Sequence, residues 1–370
     1  MIHIITSLDT GGAEKTLYRL LKKTNKNAVV ISLKSSGKVG LELQNIGVEV
    51  ISLGLNFYNF PFVFYKLCLL LIKYKPSFVQ TWLYHADLIG GMAAKLVGVN
   101  FVVWGIRTTE LRKGSYLTAA VRQVSAWLSY WIPTKIVVVA EKAKEKHIKI
   151  GYDASKMEVI PNGFDLGGHY VSPSDVHALK QEIGLTQSAL VIGCVGRFSQ
   201  DKGQDTFIGA AGLILKQFPE IKFLMVGRGL EASNLQITEW ITQTSHPENF
   251  ILAGERSDVM VCLKIMDVFC LPSRSEGFPN VLGEAMLAGV PCVSTDAGDA
   301  AILGGEYVPI AEVDNSMDLA NKLIGILEKS ADERNELGWS LHQRIVDKYS
   351  VEQMVSRYKD IYKEIEGEIK

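Results

Sequence analysis

Two glutamates, Glu276 and Glu284, stand on either side of a loop-to-helix transition in the stretch LPSRSEGFPNVLGEAMLAGVPCVST, Leu271 to Thr295. Val268, Phe269 and Leu271 predict a buried strand, and Pro272, Ser273, Ser275 and Gly277 predict the loop after it. Pro279 suits the first turn of a helix. Leu282, Ala285 and Met286 give that helix one apolar face, Gly289 fits its stop, and Pro291 prevents continuation before Val293 opens another strand. A helix N-terminus here presents free backbone N–H groups and a positive dipole end, which suit phosphate. Carboxylates accept hydrogen bonds from hydroxyls. A ligand carrying both phosphates and many hydroxyls, a nucleotide sugar, fits both features. The plainer reading is a surface loop with two solvated glutamates, and the surrounding motifs weaken it.

The segment ALVIGCVGRFSQDKGQDTFIGAA, Ala189 to Ala211, reads as an apolar strand ending at Gly196, then Arg197, a polar turn, Lys202-Gly203 and a helix. Arginine grips phosphate oxygens through a planar fork and lysine through a compact charge. Two idle surface cations are the competing reading. Breaking the bond from a sugar's anomeric carbon to a nucleoside diphosphate puts positive charge on the ring and negative charge on the leaving phosphate, and Arg197 and Lys202 would stabilise the latter. FLMVGRGLEA places Gly227 in a turn after a strand, and FILAGERSD, which carries Arg256, reads as a short strand into a turn that could lie along a base. A glycine-rich turn alone is weak evidence. At the start of the chain, MIHIITSLDTGGAEKTLYRLLKK is a strand, a glycine turn and a helix with Leu17, Leu20 and Leu21 on one face. Gly11 and Gly12 would let backbone approach a diphosphate closely. The third glycine of a dinucleotide fingerprint is missing, which argues against an NAD site.

Taken together, Gly11-Gly12-Ala13-Glu14, QTWLYHADLIGG around His85, VWGIRTTEL around Arg107, VIPNGFD ending at Asp165, GRFSQDKG and EGFPNVLGE, in this order and spacing, resemble the GT-B glycosyltransferases of family 4 over nearly the whole chain. These are retaining enzymes that include many bacterial polysaccharide and lipid-linked oligosaccharide transferases. The resemblance implies an α/β protein of two Rossmann-like domains facing across a cleft. Residues 1–166 would form the acceptor-side domain and 167–349 the nucleotide-sugar domain, with a last helix at about 350–370 crossing back to the first. It implies that Glu284 binds ribose hydroxyls and Glu276 the hydroxyls of the transferred sugar, with Gly277, Phe278, Pro279, Asn280 and Val281 at the diphosphate. His85 would contact the donor sugar or support the reacting hydroxyl; its plainer reading is a helix cap. Arg107 follows the strand FVVWGI and would bind acceptor phosphate, or else form an ordinary internal ion pair. Gly-Arg-Gly-Leu, where the family often has Gly-x-Gly-Pro, leaves Arg228 without an assigned role.

Composition agrees with the elements needed to position these residues. The chain has 370 residues, 47% of them hydrophobic, enough for two cores, and strands alternate with helices as parallel sheets require. The polar stretch 167–186 reads as the connection between domains. Met1-Ile2-His3 has no basic preamble, so no signal peptide is expected, and the apolar run from Phe60 to Ile72, about 13 residues with Lys66 inside it, is too short to span a bilayer. Cys68, Cys194, Cys262, Cys270 and Cys292 lack metal spacing and read as buried thiols of a reducing compartment. No Asp-x-Asp motif sits at a strand end, so the expectation is metal-independent transfer with no cofactor, Arg, Lys and a helix dipole replacing a divalent ion.

Residues 1–165 carry 21 Lys and Arg against 11 Asp and Glu, while the remainder is acidic by about the same margin. A basic half needs an anionic partner. No nucleic-acid module is recognisable, which leaves an anionic membrane, met through Asn56 to Phe78 and Arg112 to Lys135, where aromatics interleave with Lys and Arg. The expected function is therefore a retaining hexosyltransferase or N-acetylhexosaminyltransferase. Family frequency favours a UDP-linked donor, and the acceptor would be a polyprenyl-diphosphate-linked saccharide, at the inner face of the cell membrane, in capsule or O-antigen synthesis. The alternatives are a non-catalytic sugar-nucleotide-binding protein and a GT-B-type phosphorylase, the latter lacking a recognisable cofactor-lysine site.

Overall fold

Short runs of Val, Ile, Leu and Phe become strands, the central ones buried on both faces, the pattern of a parallel sheet covered by helices on each side. The structure, a computed structural model, describes residues 1–9, 11–24, 28–109, 116–167 and 171–369. It divides into two units, Met1–Gly163 with Val351–Lys370, and Phe164–Ser350.

The first unit runs β1 (Ile2–Ile5), α1 (Gly12–Thr24), β2 (Val29–Ser32), α2 (Gly37–Asn45), β3 (Glu49–Ser52), α3 (Phe60–Tyr74), β4 (Phe78–Trp82), α4 (Tyr84–Leu96), β5 (Phe101–Ile106), α5 (Tyr116–Leu128), β6 (Lys135–Val138), α6 (Glu141–Lys149) and β7 (Met157–Val159). Among the described residues its strands form one parallel sheet in the order β3-β2-β1-β4-β5-β6-β7. The chain therefore steps outward from β1, returns, and steps outward the other way from β4. Such a reversal leaves a crevice at the carboxyl ends of β1 and β4, where open α/β sheets bind ligands. The final helix, α15 (Val351–Ile369), belongs to this unit. Its Val351, Met354, Val355, Tyr358 and Ile361 join Ile5, Leu17 and Trp82 in one core, and Lys23–Glu352 (2.9 Å) and Lys135–Glu364 (2.8 Å) pin its two ends.

The second unit runs α7 (Pro173–Glu182), β8 (Val191–Val195), α8 (Gln204–Ile214), β9 (Lys222–Val226), α9 (Leu235–Thr242), β10 (Phe250–Gly254), α10 (Val259–Lys264), β11 (Val268–Leu271), α11 (Asn280–Leu287), β12 (Cys292–Thr295), α12 (Ala300–Gly304), β13 (Ile310–Ala311), α13 (Ser316–Leu327) and α14 (Ala331–Tyr349). Its parallel sheet, in the order β10-β9-β8-β11-β12-β13, reverses between β8 and β11. The stretch expected to be a plain connection contains α7. Ser172 and Asp175 form a reciprocal capping box, Oγ of Ser172 accepting from the Asp175 N–H at 3.1 Å and the Ser172 N–H reaching Oδ2 of Asp175 at 3.2 Å. The helix was hidden because it buries Leu179 alone, so it carries almost no apolar periodicity.

All five cysteines are buried and unpaired, and among the described residues no helix is long and apolar enough to cross a membrane.

Candidate functional site

In the second unit the loops following β8 and β11 flank the sheet's reversal, and they carry the residues singled out by type. After β8, Gly196-Arg197 leads into a tight turn, Gln200–Lys202, closed by Gly203 in a left-handed conformation (φ 63°). Gly203 must be glycine on two counts, since its φ disfavours a side chain and a Cβ there would collide with the Pro272 carbonyl. That contact sets the two loops against each other.

Lys202 and Glu276 meet as a result. Nζ of Lys202 donates to Oε1 of Glu276 at 2.6 Å, and Oγ of the fully buried Ser273 donates to the same oxygen at 2.6 Å. Ser273 is fixed in turn by Thr295 at the end of β12, whose Oγ1 donates to the Ser273 carbonyl at 2.5 Å. Only 10% of the Glu276 side chain is exposed, so its carboxylate is aimed by protein contacts rather than by water. Arg197 is exposed, and no ion pair engages it among the described residues. Its backbone is held instead, the Arg197 carbonyl accepting from Nε2 of Gln204 at 3.0 Å.

Gly277, Phe278 and Pro279 run from Glu276 into α11, with Pro279 preceding the first helical residue, so the helix opens at Asn280–Val281 a few residues past the pair. Half-buried Glu284 lies in the second turn of this helix. The turn after β9 is laced to the same rim: Gly227 N–H donates to the Gly254 carbonyl (2.7 Å) and Phe198 N–H to the Arg228 carbonyl (2.8 Å). Gly227 (φ 145°) abuts the Gly196 carbonyl so closely that no Cβ fits. The unit thus brings Arg197, Lys202, Gly227, Glu276, Gly277, Phe278, Pro279, Asn280, Val281 and Glu284 to one end of one sheet.

Arg256 departs from the expectation. Its Nε and Nη2 bond Asp258 at 2.8 Å each, and its Nη1 bonds Glu182 of α7 at 2.6 Å. Asp258 first and Glu182 second raise its already high pKa, so both edges of the fork are taken by carboxylates and little is left for phosphate. Arg256 fastens α7 to the loop after β10.

In the first unit, Gly12 opens α1 after β1 and His85 lies in the first turn of α4 after β4, the two loops that flank that sheet's reversal. Leu83, the residue before α4, takes φ 74°, a conformation that costs a branched side chain and turns the chain sharply into the helix. His85 is half-buried; burial first, and the charge of Lys34 second, hold its imidazole below the usual range. Arg107 points into the unit. It donates to Oδ1 of Asn162 and to the Tyr358 hydroxyl of α15 (3.3 Å), and its guanidinium lies 5.2 Å from the centre of the Trp82 ring. Burial lowers its pKa while Tyr358 and Glu14 favour its charge. Burial likewise pushes the Glu14 carboxyl up.

Asn162 is a hub that no local pattern announced. It also accepts from Oγ1 of Thr16 (2.8 Å), tying the start of α1 to Arg107. Ser273, Glu182 and Lys34 were missed for the same reason, because each acts on a residue brought near only by folding. Among the described residues no group of three His, Cys, Asp or Glu is placed to hold a metal ion.

Two Rossmann-like units, each with its functional loops at the reversal of a parallel sheet, make the GT-B architecture. HepE of Anabaena, solved in complex with UDP, superposes with a TM-score of 0.87 over 98% of this chain and 99% of that one at 20% identity. WaaG, a glycosyltransferase involved in lipopolysaccharide biosynthesis, gives 0.72 over 98% and 99% at 15% identity. These likenesses carry the fold. The family described as Glycosyltransferase Family 4 matches residues 10–167, and that described as Glycosyl transferases group 1 matches residues 189–329. The UDP-Gal:alpha-D-GlcNAc-diphosphoundecaprenol alpha-1,3-galactosyltransferase of Escherichia coli is 30% identical over 79% of this chain and 76% of its own length. The capsular polysaccharide biosynthesis glycosyltransferase CapM of Staphylococcus aureus is 25% identical over 99% and 98%. The chain belongs to glycosyltransferase family 4, and the enzyme is a glycosyltransferase.

Proposed function

We propose that this enzyme moves a hexose or N-acetylhexosamine, with retention at the anomeric carbon, from a UDP-linked donor to a polyprenyl-diphosphate-linked saccharide in the synthesis of a bacterial surface polysaccharide. The observation that carries the reading is the Lys202–Glu276 pair, 2.6 Å apart at the reversal of the second sheet and a few residues before α11 opens. A phosphate group competes for the ammonium of Lys202 and sugar hydroxyls for the carboxylate of Glu276, so a ligand bearing both exchanges one ion pair for two matched contacts. As the anomeric C–O bond breaks, its electrons remain on the diphosphate, and Lys202, Arg197 and the N–H groups opening α11 stabilise that charge. Glu276 and Glu284 orient the transferred sugar and the ribose. In the first unit His85 serves the donor sugar or the reacting hydroxyl. Arg107, with its charge favoured by Tyr358 and Glu14 and its guanidinium anchored on Asn162, presents positive potential to an acceptor phosphate.

The Escherichia coli relative names both a UDP-sugar and a diphosphoundecaprenol acceptor, and CapM names a capsular polysaccharide; both support the reading. An acceptor of that kind lies in a bilayer, so the enzyme would work at the cytoplasmic membrane face, docking there through its first unit. The test is a donor panel of UDP-glucose, UDP-galactose, their N-acetyl forms and GDP-mannose, with a polyprenyl-diphosphate-linked sugar as acceptor. Transfer from a UDP-sugar that persists in excess EDTA and yields the retained anomer is expected. Loss of activity on chelation, restored by Mg²⁺, removes metal independence; an inverted product removes the retaining mechanism.

Glu284→Ala separates binding from chemistry. Two hydrogen bonds from ribose hydroxyls to a carboxylate are worth about 1.5–3 kcal/mol each, and they are made equally in ground and transition states. UDP affinity measured by calorimetry should fall roughly 100-fold or more with kcat at saturating donor nearly unchanged. A large fall in kcat at unaltered UDP affinity contradicts the ribose role.

A further inference from the structure

We propose that Arg274 is a positioning residue, a clasp that registers the Lys202 turn against the Glu276 loop. The proposal rests on the reading of Lys202 as the partner of the departing diphosphate. Arg274 stands two residues before Glu276 and touches the other loop through both backbone and side chain. Its backbone N–H donates to the Asp201 carbonyl at 2.7 Å. Its Nη1 donates to the Gln200 carbonyl at 2.6 Å, its Nη2 to Oδ2 of Asp205 in the first turn of α8 at 2.6 Å, and its Nε to Oδ1 of Asp314 in the β13–α13 connection. Lys202 therefore sits between Gln200 and Asp205, both of which are gripped by one guanidinium. Burial alone would raise the Asp205 carboxyl, but the hydrogen bond and charge of Arg274, together with backbone N–H groups at the start of α8, hold it below the usual carboxylate range.

Three acceptors on three elements, in three directions, match a planar fork with donors on every edge; a lysine ammonium has one centre and cannot reach all three. Asp314 adds a second sign of constraint, because it holds φ 61° without being glycine, a strained conformation that persists only where surroundings fix it. The clasp is not explained as a source of stability. The Asp205 and Asp314 side chains are 41% and 55% exposed, and ion pairs in that setting contribute little to folding. What it does fix is the height of Lys202 over the sheet, and displacement of a catalytic group by about 1 Å costs up to roughly 100-fold in rate.

The test is a double-mutant cycle on Lys202 and Arg274, using the UDP-sugar that the wild-type enzyme turns over in the donor panel. Arg274→Lys should lower kcat roughly 10- to 100-fold with the donor KM changed by less than about threefold, and calorimetric unfolding should shift little. In the Lys202→Ala background the same change should cost almost nothing further. An Arg274→Lys enzyme with wild-type kcat overturns the proposal, as does a loss just as large in the Lys202→Ala background. If Arg274→Lys does not fold, Asp205→Asn takes its place in the cycle, with the same results expected and the same results overturning the clasp. Wild-type turnover in Lys202→Ala overturns both the reading of Lys202 and this proposal, whereas a failed cycle beside an impaired Lys202→Ala leaves the reading of Lys202 standing.

Discussion

Lys202→Ala is expected to lower turnover roughly 100-fold, a loss of about 2.7 kcal/mol in transition-state stabilisation, while the chain stays folded. The size follows from where the charge sits. Side-chain exposures of 23% for Lys202 and 10% for Glu276 put the pair in a partly dry environment, where a single preorganised cation is worth several times its value in bulk water. Without the ammonium, the Glu276 carboxylate keeps its hydrogen bond from Ser273 but faces the incoming phosphates uncompensated, so donor affinity falls as well. Folding is spared because Gly203, Pro272 and Arg274 hold the turn by contacts that do not involve the Lys202 side chain. Lys202→Arg keeps the charge and should recover only part of the rate, since a guanidinium is longer than an ammonium and spreads its charge over a plane. The measurements are kcat and KM at saturating acceptor, with circular dichroism as the control for folding. Near-normal turnover in a folded Lys202→Ala enzyme removes Lys202 from the reaction and leaves Arg197 as the remaining cation for the leaving group.

The local half of this site was legible in the sequence and the mutual half was not. Strand, loop and helix around Glu276 and Glu284 follow from apolar runs, Pro279, Gly289 and Pro291, because those signals act within a few residues. The same holds for Gly203 closing its turn and for His85 opening α4. What joins Lys202 to Glu276 is different. The residues are 74 apart, and they meet because β8 and β11 are neighbours at the point where the strand order reverses. Strand order leaves no mark on the period of either strand.

Arg256 and Arg107 show the same limit from the other side. Arg107 suggests itself by its charge near a strand end and Arg256 by a turn that could lie along a base, and neither side chain's direction of approach is visible in the sequence. The Asp258 arm of the Arg256 clamp lies two residues on and was within reach of local reasoning, whereas Glu182 comes from α7, a helix concealed by having a single buried residue. Arg107 depends on Asn162 and on Tyr358, 251 residues away in α15. Its charge is favoured by Tyr358 of the last helix and Glu14 of the first, which no reading of VWGIRTTEL contains.

The face of the first unit formed by α3, α4 and α5 should bind anionic vesicles strongly and neutral ones weakly, which would account for the basic half of the chain. Between Val50 and Ala140 the sequence has nine Lys and Arg but only Asp87 and Glu110 as acids. Asp87 is fully buried, its carboxyl pushed up to about 7 by burial, and Glu110 lies outside the described residues, as do Arg112 and Lys113. Within the described residues, α3, α4 and α5 therefore expose no carboxylate. What they do expose is apolar: Phe60, Phe62, Tyr65, Leu69 and Ile72 on α3, Met92 and Leu96 on α4, and Leu117, Val124 and Trp127 on α5, with Tyr130 and Trp131 just beyond it. A role as core helices covering the sheet accounts for one side of each, Val63, Leu67, Cys68 and Leu71 on α3 and Ser125 and Ala126 on α5. It leaves Trp127 at 64% and Trp131 at 60% exposure without a reason, and an aromatic and lysine face of this kind is what a bilayer interface selects. Lys66, Lys73 and Lys75 border it, and basic residues at an anionic surface are worth about 1 kcal/mol each. Neutralising all three should weaken binding by about 3 kcal/mol, roughly 150-fold, and changing them to Glu should abolish it. Co-sedimentation with phosphatidylglycerol-containing and with pure phosphatidylcholine vesicles, at low and high salt, measures this. Trp127→Ser with Trp131→Ser should weaken binding while keeping its salt dependence, because the aromatics act through burial and the lysines through charge. A protein that ignores anionic vesicles at low salt, or that hides this face in a dimer seen by light scattering, removes the membrane from the account and leaves the transferase site of the second unit untouched.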